Sequence, residues 1–105
     1  MTNKPDSPNG DGGALDFDRL IHEPARLVLM ANLYVVDEAD FVFLSRQTGL
    51  TAGNISSHMA RLEDAGYVTV DKTFVGKRPR TVYALTTAGR TAYERYRDHL
   101  AGLIG

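Results

Sequence analysis

The 105 residues contain no cysteine and no tryptophan. Without cysteine there can be no disulfide and no thiolate metal site, a composition that fits a reducing cytoplasm, the compartment expected for this chain. No apolar run approaches the ~18 residues that a membrane-spanning helix needs, so no membrane partner is expected. The opening stretch, MTNKPDSPNGDGG, lacks an apolar segment and does not read as a secretory signal. A strong net charge is missing too: 12 Lys+Arg stand against 13 Asp+Glu.

That balance conceals an asymmetry. Residues 1–40 hold eight acidic and three basic side chains, a net of −5, while residues 41–105 hold five acidic and nine basic ones, a net of +4. Such polarity within one small chain suggests that one face meets a polyanion. The length bounds the chain to one domain with a modest core. Residues 1–14 are mostly Pro, Gly, Asn, Asp and Ser and read as a disordered tail, leaving 15–105 as the folded part.

Helical periodicity starts near Asp16. Leu20, Leu27, Ala31 and Tyr34 share one stripe, with Ile21 and Val28 beside it, and this predicts helix over 16–35. Pro24 should split that region into a short helix and a longer one, sitting in the first turn of the second. The stretch ARLVLMANLYVV is apolar nearly all round, as expected of a helix that meets a second subunit or crosses the core. Phe41 and Val42 suggest a very short strand, and Leu44–Thr48 a short helix ended by Gly49. Thr51 is a good N-cap for a helix over 51–65, whose Ile55, Met59 and Leu62 form one inward face. Alternation at Val68, Val70 and Phe74 predicts a strand, VGKRPR a loop over 75–80, and TVYALT a return strand. A last helix over 87–104 carries Tyr93, Tyr96, Leu100 and Leu103 at a seam spacing.

Two short helices joined by a glycine-containing turn, SRQTGLTAGNISSHMARL, read as a helix-turn-helix, in which the second helix enters the DNA major groove. With Ile55, Met59 and Leu62 turned inward, that helix points small or hydrogen-bonding residues outward, and no acid appears before Glu63. Asn54, Ser57, His58 and Arg61 can address bases or phosphates, and Thr51 a phosphate or the helix cap.

The segment from Phe41 to Tyr96 resembles the winged helix-turn-helix domains of small bacterial and archaeal transcriptional regulators, close to the MarR-type and ArsR-type repressors. The similar pieces are GLTAGNISSHMARLEDAGYV, the hairpin KTFVGKRPRTVYALT, the helix start LTTAGR and the upstream LIHEPARLVLMANL. The resemblance implies a mainly α fold with a small β-hairpin, ordered helix, (strand), helix, helix, strand, wing, strand, helix. It makes VGKRPR the wing, where Lys77, Arg78 and Arg80 would neutralise phosphates or sense a narrow minor groove. It also implies a homodimer built by helices 16–35 and 87–104, through Leu27, Met30, Tyr93, Tyr96, Leu100 and Leu103. Such a dimer would read a pseudo-palindromic operator in double-stranded DNA.

Other chemistries find little support. His22, His58 and His99 are far apart in sequence, and a site from Glu94, Asp98 and His99 reads better as a solvated helix face, so no metal and no cofactor are expected. Ser56, Ser57 and His58 are consecutive on a helix and lack an orienting carboxylate, so no enzyme activity is expected. The competing reading is a winged-helix module that binds protein rather than DNA, since the fold hosts both. A small-molecule effector of unknown identity, near Tyr34, Phe41 or Tyr93, is compatible with either.

Overall fold

The computed structural model describes residues 18–104. The tail expected at 1–14 therefore lies outside the described residues. Helices α1 (Pro24–Val35), α2 (Phe41–Thr48), α3 (Ala52–Asp64) and α4 (Thr87–Ile104) pack around a three-stranded antiparallel sheet. Its strands are β1 (Ala39–Asp40), β2 (Val68–Val75) and β3 (Arg78–Leu85), in the order β1-β3-β2. This is the mainly helical winged-helix architecture that the resemblance implied.

Helix does not cover the whole of 16–35. It starts at Pro24, which occupies the first turn, and the Glu23 carboxylate accepts from the Arg26 N–H at 2.9 Å. That hydrogen bond holds the Glu23 carboxyl below its ordinary pKa. Upstream there is a single turn. The Asp18 side chain accepts from the N–H groups of Leu20 and Ile21, and its carbonyl accepts from His22 N–H. An Asp that bonds its own neighbours competes with helix, and a proline disfavours helical backbone just before it. Ile21 is nevertheless fully buried.

The strand expected at Phe41–Val42 is displaced by two residues. Ala39 and Asp40 pair with Tyr83 and Val82, and Phe41 already begins α2. The β-prone side chains of Phe41 and Val42 were outweighed by a cap: Asp40 Oδ1 accepts from Phe43 N–H at 2.8 Å. Gly49 ends the helix at φ +74°, a left-handed conformation that glycine adopts without strain, and its N–H bonds the Ser45 carbonyl. Thr51 then caps α3, its hydroxyl accepting from Asn54 N–H at 3.2 Å, and Ile55, Met59 and Leu62 are buried as expected.

The hairpin departs most from expectation. Residues 75–80 are not a loop: only Gly76 and Lys77 lie outside the strands, and the ladder runs unbroken through eight pairs, from Val68↔Leu85 to Val75↔Arg78. Gly76 has φ +64° and Lys77 a negative φ, the pattern of a type II′ turn with glycine first. Pro79 fits inside this ladder. Next to a two-residue turn, Val75 and Arg78 form the hydrogen-bonded pair, so the nitrogen of Pro79, opposite Phe74, points away from β2. No strand covers β3 on that side, because β1 reaches only Val82 and Tyr83.

The ends of the hairpin are clamped to α4. Thr86 N–H bonds the Tyr67 carbonyl, and the Thr86 hydroxyl donates to the Gly66 carbonyl at 2.6 Å while accepting from Gly89 N–H at 2.9 Å. A Cβ on Gly89 would lie 2.0 Å from the Tyr67 carbonyl oxygen, so only glycine fits there. Tyr67 in turn donates its hydroxyl to Asp18, and burial together with that carboxylate pushes its pKa up to about 12.

The core gathers Ile21, Leu29, Met30, Leu33, Leu44, Ile55, Met59, Leu62, Val68, Tyr83 and Tyr96. Each such side chain contributes about 1.5–3 kcal/mol of apolar burial. Helices α1 and α4 meet around Tyr34. Its hydroxyl donates to Glu94 at 2.7 Å, its ring packs 4.9 Å from that of Tyr93, and the Arg90 and Arg97 guanidiniums lie 4.8 and 5.3 Å from its centre.

Candidate nucleic-acid interface

Burial of Ile55, Met59 and Leu62 fixes the roll of α3, and that roll decides what it offers outward. Asn54, Ser57 and Arg61 are all exposed and follow at i, i+3 and i+7, a single stripe with Gly53 and Ala60 beside it. Carboxylates enter only at Glu63 and Asp64, in the last turn. The small residues at 53 and 60 leave the backbone open to close approach.

Not every residue expected on this surface is free to act alone. Thr51 accepts the cap hydrogen bond from Asn54 N–H and keeps its hydroxyl proton for a further partner. His58 is half-buried, and its Nδ1 accepts from Nε of Arg26 on α1 at 3.2 Å. That bond requires the imidazole proton on Nε2, so the ring presents a donor outward. Arg26 is itself anchored through its Nη1 to the Leu20 carbonyl at 3.1 Å. Ser56, which neighbours the stripe, hydrogen-bonds the Tyr83 phenol, whose pKa burial raises against the lowering effect of that bond.

Every residue of the hairpin from Asp71 to Arg80 is exposed. Strand alternation divides them. Lys72, Phe74, Pro79 and Thr81 continue the face of Val70 and Tyr83, whereas Thr73, Val75, Arg78 and Arg80 occupy the other face and Lys77 stands at the tip. The basic residues thus surround the hairpin instead of clustering in a loop. Arg80 is engaged: its Nη2 lies 3.4 Å from Oδ2 of Asp40. Phe74, 69% exposed, is an apolar side chain among these cations.

Two further residues belong to this surface and were not singled out from sequence. Lys72 adds a cation, and its alternation with Val70 and Phe74 was a usable signal. Asp40 escaped because its partner lies 40 positions away.

Residues expected at a subunit interface fall into two groups. Met30 is 0% exposed and Tyr96 6%, with the Tyr96 hydroxyl 2.8 Å from His22 Nδ1. Both are core residues of the single chain and have no surface left to give a partner. Periodicity alone could not separate the sides of α1, apolar nearly all round, nor tell whether the seam spacing of α4 faces its own chain or a partner. Leu27 and Tyr93 are half-buried, while Leu100 and Leu103 are 38% and 43% exposed, with Val28 and Ile104 exposed as well. Glu94, considered above as a metal ligand, bonds Tyr34 instead. Among the described residues no three His, Asp or Glu side chains group in a way that could hold a metal ion, and no helix is long and apolar enough to cross a membrane.

Comparison with known proteins bears on this geometry. The family profile described as the winged helix DNA-binding domain matches residues 25–104. An uncharacterized protein of Methanocaldococcus jannaschii is 30% identical over 78 residues, covering 74% of this chain and 85% of the relative. A transcriptional regulator homologue from Pyrococcus horikoshii OT3 has a similar structure, with a TM-score of 0.77 and 32% identity over 83% of this chain and 86% of its own. Overoxidized AbfR bound to DNA shares the fold at 16% identity, with a TM-score of 0.71 over 81% of this chain and 62% of that one.

Proposed function

The chain belongs to the winged helix DNA-binding domain family, and from that premise we propose that it is a transcriptional regulator that binds double-stranded DNA as a homodimer. Helix α3 enters the major groove. Asn54, Ser57 and Arg61 meet base edges or phosphates there, His58 offers its Nε2–H, and Thr51 donates to a phosphate. Lys77, Arg78 and Arg80, with Lys72, bind the backbone or the minor groove beside it. The observation that carries this reading is the exposed stripe Asn54, Ser57 and Arg61, free of carboxylates, on a capped helix beside a hairpin ringed with cations. The fold that this chain shares with DNA-bound AbfR is consistent with it.

The second subunit docks on α1 and α4 at exposed Val28, Leu100 and Leu103, with half-buried Leu27 and Tyr93 beside them. Two α3 helices would then address half-sites about one helical turn apart (~34 Å), and the operator would be pseudo-palindromic. Replacing Leu100 and Leu103 together by Glu should give a folded monomer in sedimentation. A dimer that survives those charges places the interface elsewhere.

Fluorescence anisotropy tests the function, with the DNA upstream of the protein's own gene titrated beside random duplex over a range of salt. Steep salt dependence with the upstream DNA held at least ~10³-fold tighter is the expected result. No binding to either duplex at low salt would overturn it and favour a winged-helix module for a protein partner.

A further inference from the structure

Asp40 uses its two carboxylate oxygens for two tasks. Oδ1 caps α2, the first helix of the helix-turn-helix, by accepting from Phe43 N–H at 2.8 Å, and Oδ2 pairs with Arg80 on the hairpin at 3.4 Å. The cap fixes Asp40 in place, and β1 pairing across from Val82 sets it two residues from Arg80 on the same face of β3. The other basic residues of the hairpin, Lys72, Lys77 and Arg78, make no ion pair among the described residues. One cation of four is therefore held by a protein carboxylate.

We propose that Asp40 sets the strength of DNA binding by holding Arg80 in the free protein, so that a phosphate must displace this carboxylate before Arg80 can bind the backbone. The inference rests on the DNA-binding reading above. It does not require Asp40 to orient the hairpin. The eight-pair ladder already does that, and an ion pair between partly exposed side chains is worth too little to do it. The pair is weak enough for a phosphate to replace, and phosphate offers Arg a comparable or better bidentate geometry. Asp40 thus acts as an internal competitor of the polyanion. Because phosphates are the same in every sequence, the effect falls on random and specific DNA alike.

The test exploits the division between the two oxygens. Asn caps a helix as well as Asp does, so Asp40→Asn keeps the cap and removes the charge. Its melting temperature should stay close to that of the wild type, and Asp40→Ser, another good cap, replaces it if it does not. Anisotropy at fixed low salt on a random duplex should show binding about two- to five-fold tighter than wild type, the span to which the strength of an exposed ion pair converts. In an Arg80→Ala background the same substitution should change nothing. Unchanged or weaker binding by Asp40→Asn overturns the proposal. So does a gain that persists without Arg80, since Asp40 would then act only as a general repulsive charge. If wild type binds no duplex at low salt, the DNA-binding reading fails and this inference fails with it. If wild type binds but Asp40→Asn does not differ from it, only the inference fails.

Discussion

Helix α3 buries Ile55, Met59 and Leu62 along its inner side, whereas the outer hairpin, from Asp71 to Arg80, has no buried residue at all. The helix is held by side-chain packing and the hairpin by backbone hydrogen bonds. The stripe Asn54, Ser57 and Arg61 is consequently fixed relative to the core, as recognition of base edges requires. Lys77 and Arg78 stand on an unpacked ribbon, and on the DNA-binding reading contacts to a phosphate backbone need only an approximate position. Specificity should therefore reside in the packed element and general affinity in the unpacked one.

The largest perturbation removes the frame that both share. Gly89→Ala drives a methyl group into the Tyr67 carbonyl and should cost about 3 kcal/mol or more, read from chemical denaturation. If it costs little, the junction of β2 and α4 is far more plastic than its hydrogen bonds suggest. Next comes the contrast in packing. Met59→Ala should destabilise by about 2–5 kcal/mol and Phe74→Ala by no more than about 0.5 kcal/mol, although both remove a large apolar side chain. Similar losses would mean that the outer hairpin is packed against something.

A finer test separates specificity from affinity in DNA binding. Asn54→Ala should lose about 1–3 kcal/mol of discrimination at one base position. Arg78→Ala should weaken binding to all sequences and reduce the salt slope by about one. Equal losses by both variants on specific and random DNA would erase the contrast. The last test concerns pH. Tyr67 is neutral in the fold with its pKa raised to about 12 from 10.0. It therefore contributes stability that is complete below pH 10 and is lost as pH rises from there through about 12. Tyr67→Phe should flatten this alkaline limb in melting curves recorded across that window.

The same contrast explains what could be read from the residues alone. Helix α3 was legible because its cap Thr51 and the buried spacing of Ile55, Met59 and Leu62 are local signals in one short stretch. The hairpin was legible as strands with alternation but not in its turn. Pro79 suggested a loop, and only the pairing register reveals that its nitrogen faces away from β2. Phe41 and Val42 misled for a similar reason, since the Asp40 cap outweighs intrinsic strand preference. Met30 and Tyr96 were placed at a subunit seam, although both are buried in the core of their own chain; α1, apolar on nearly every side, does not announce which side its neighbours will cover, and the seam spacing of α4 serves the core of one chain as well as a second subunit. The Asp40–Arg80 pair joins distant positions through the β1–β3 bridge, and nothing near either residue signals the other.

The two-residue turn at Gly76 and Lys77 makes the hairpin a ruler with discrete marks. A two-residue turn closes on a hydrogen-bonded pair, as Val75 and Arg78 do, so relatives that keep it could lengthen the hairpin only two rungs at a time, about 6.6 Å of reach per step. Each such step returns the tip cations to the face they hold now. Reach can thus change in steps while the side of the ribbon on which Arg78 stands stays the same.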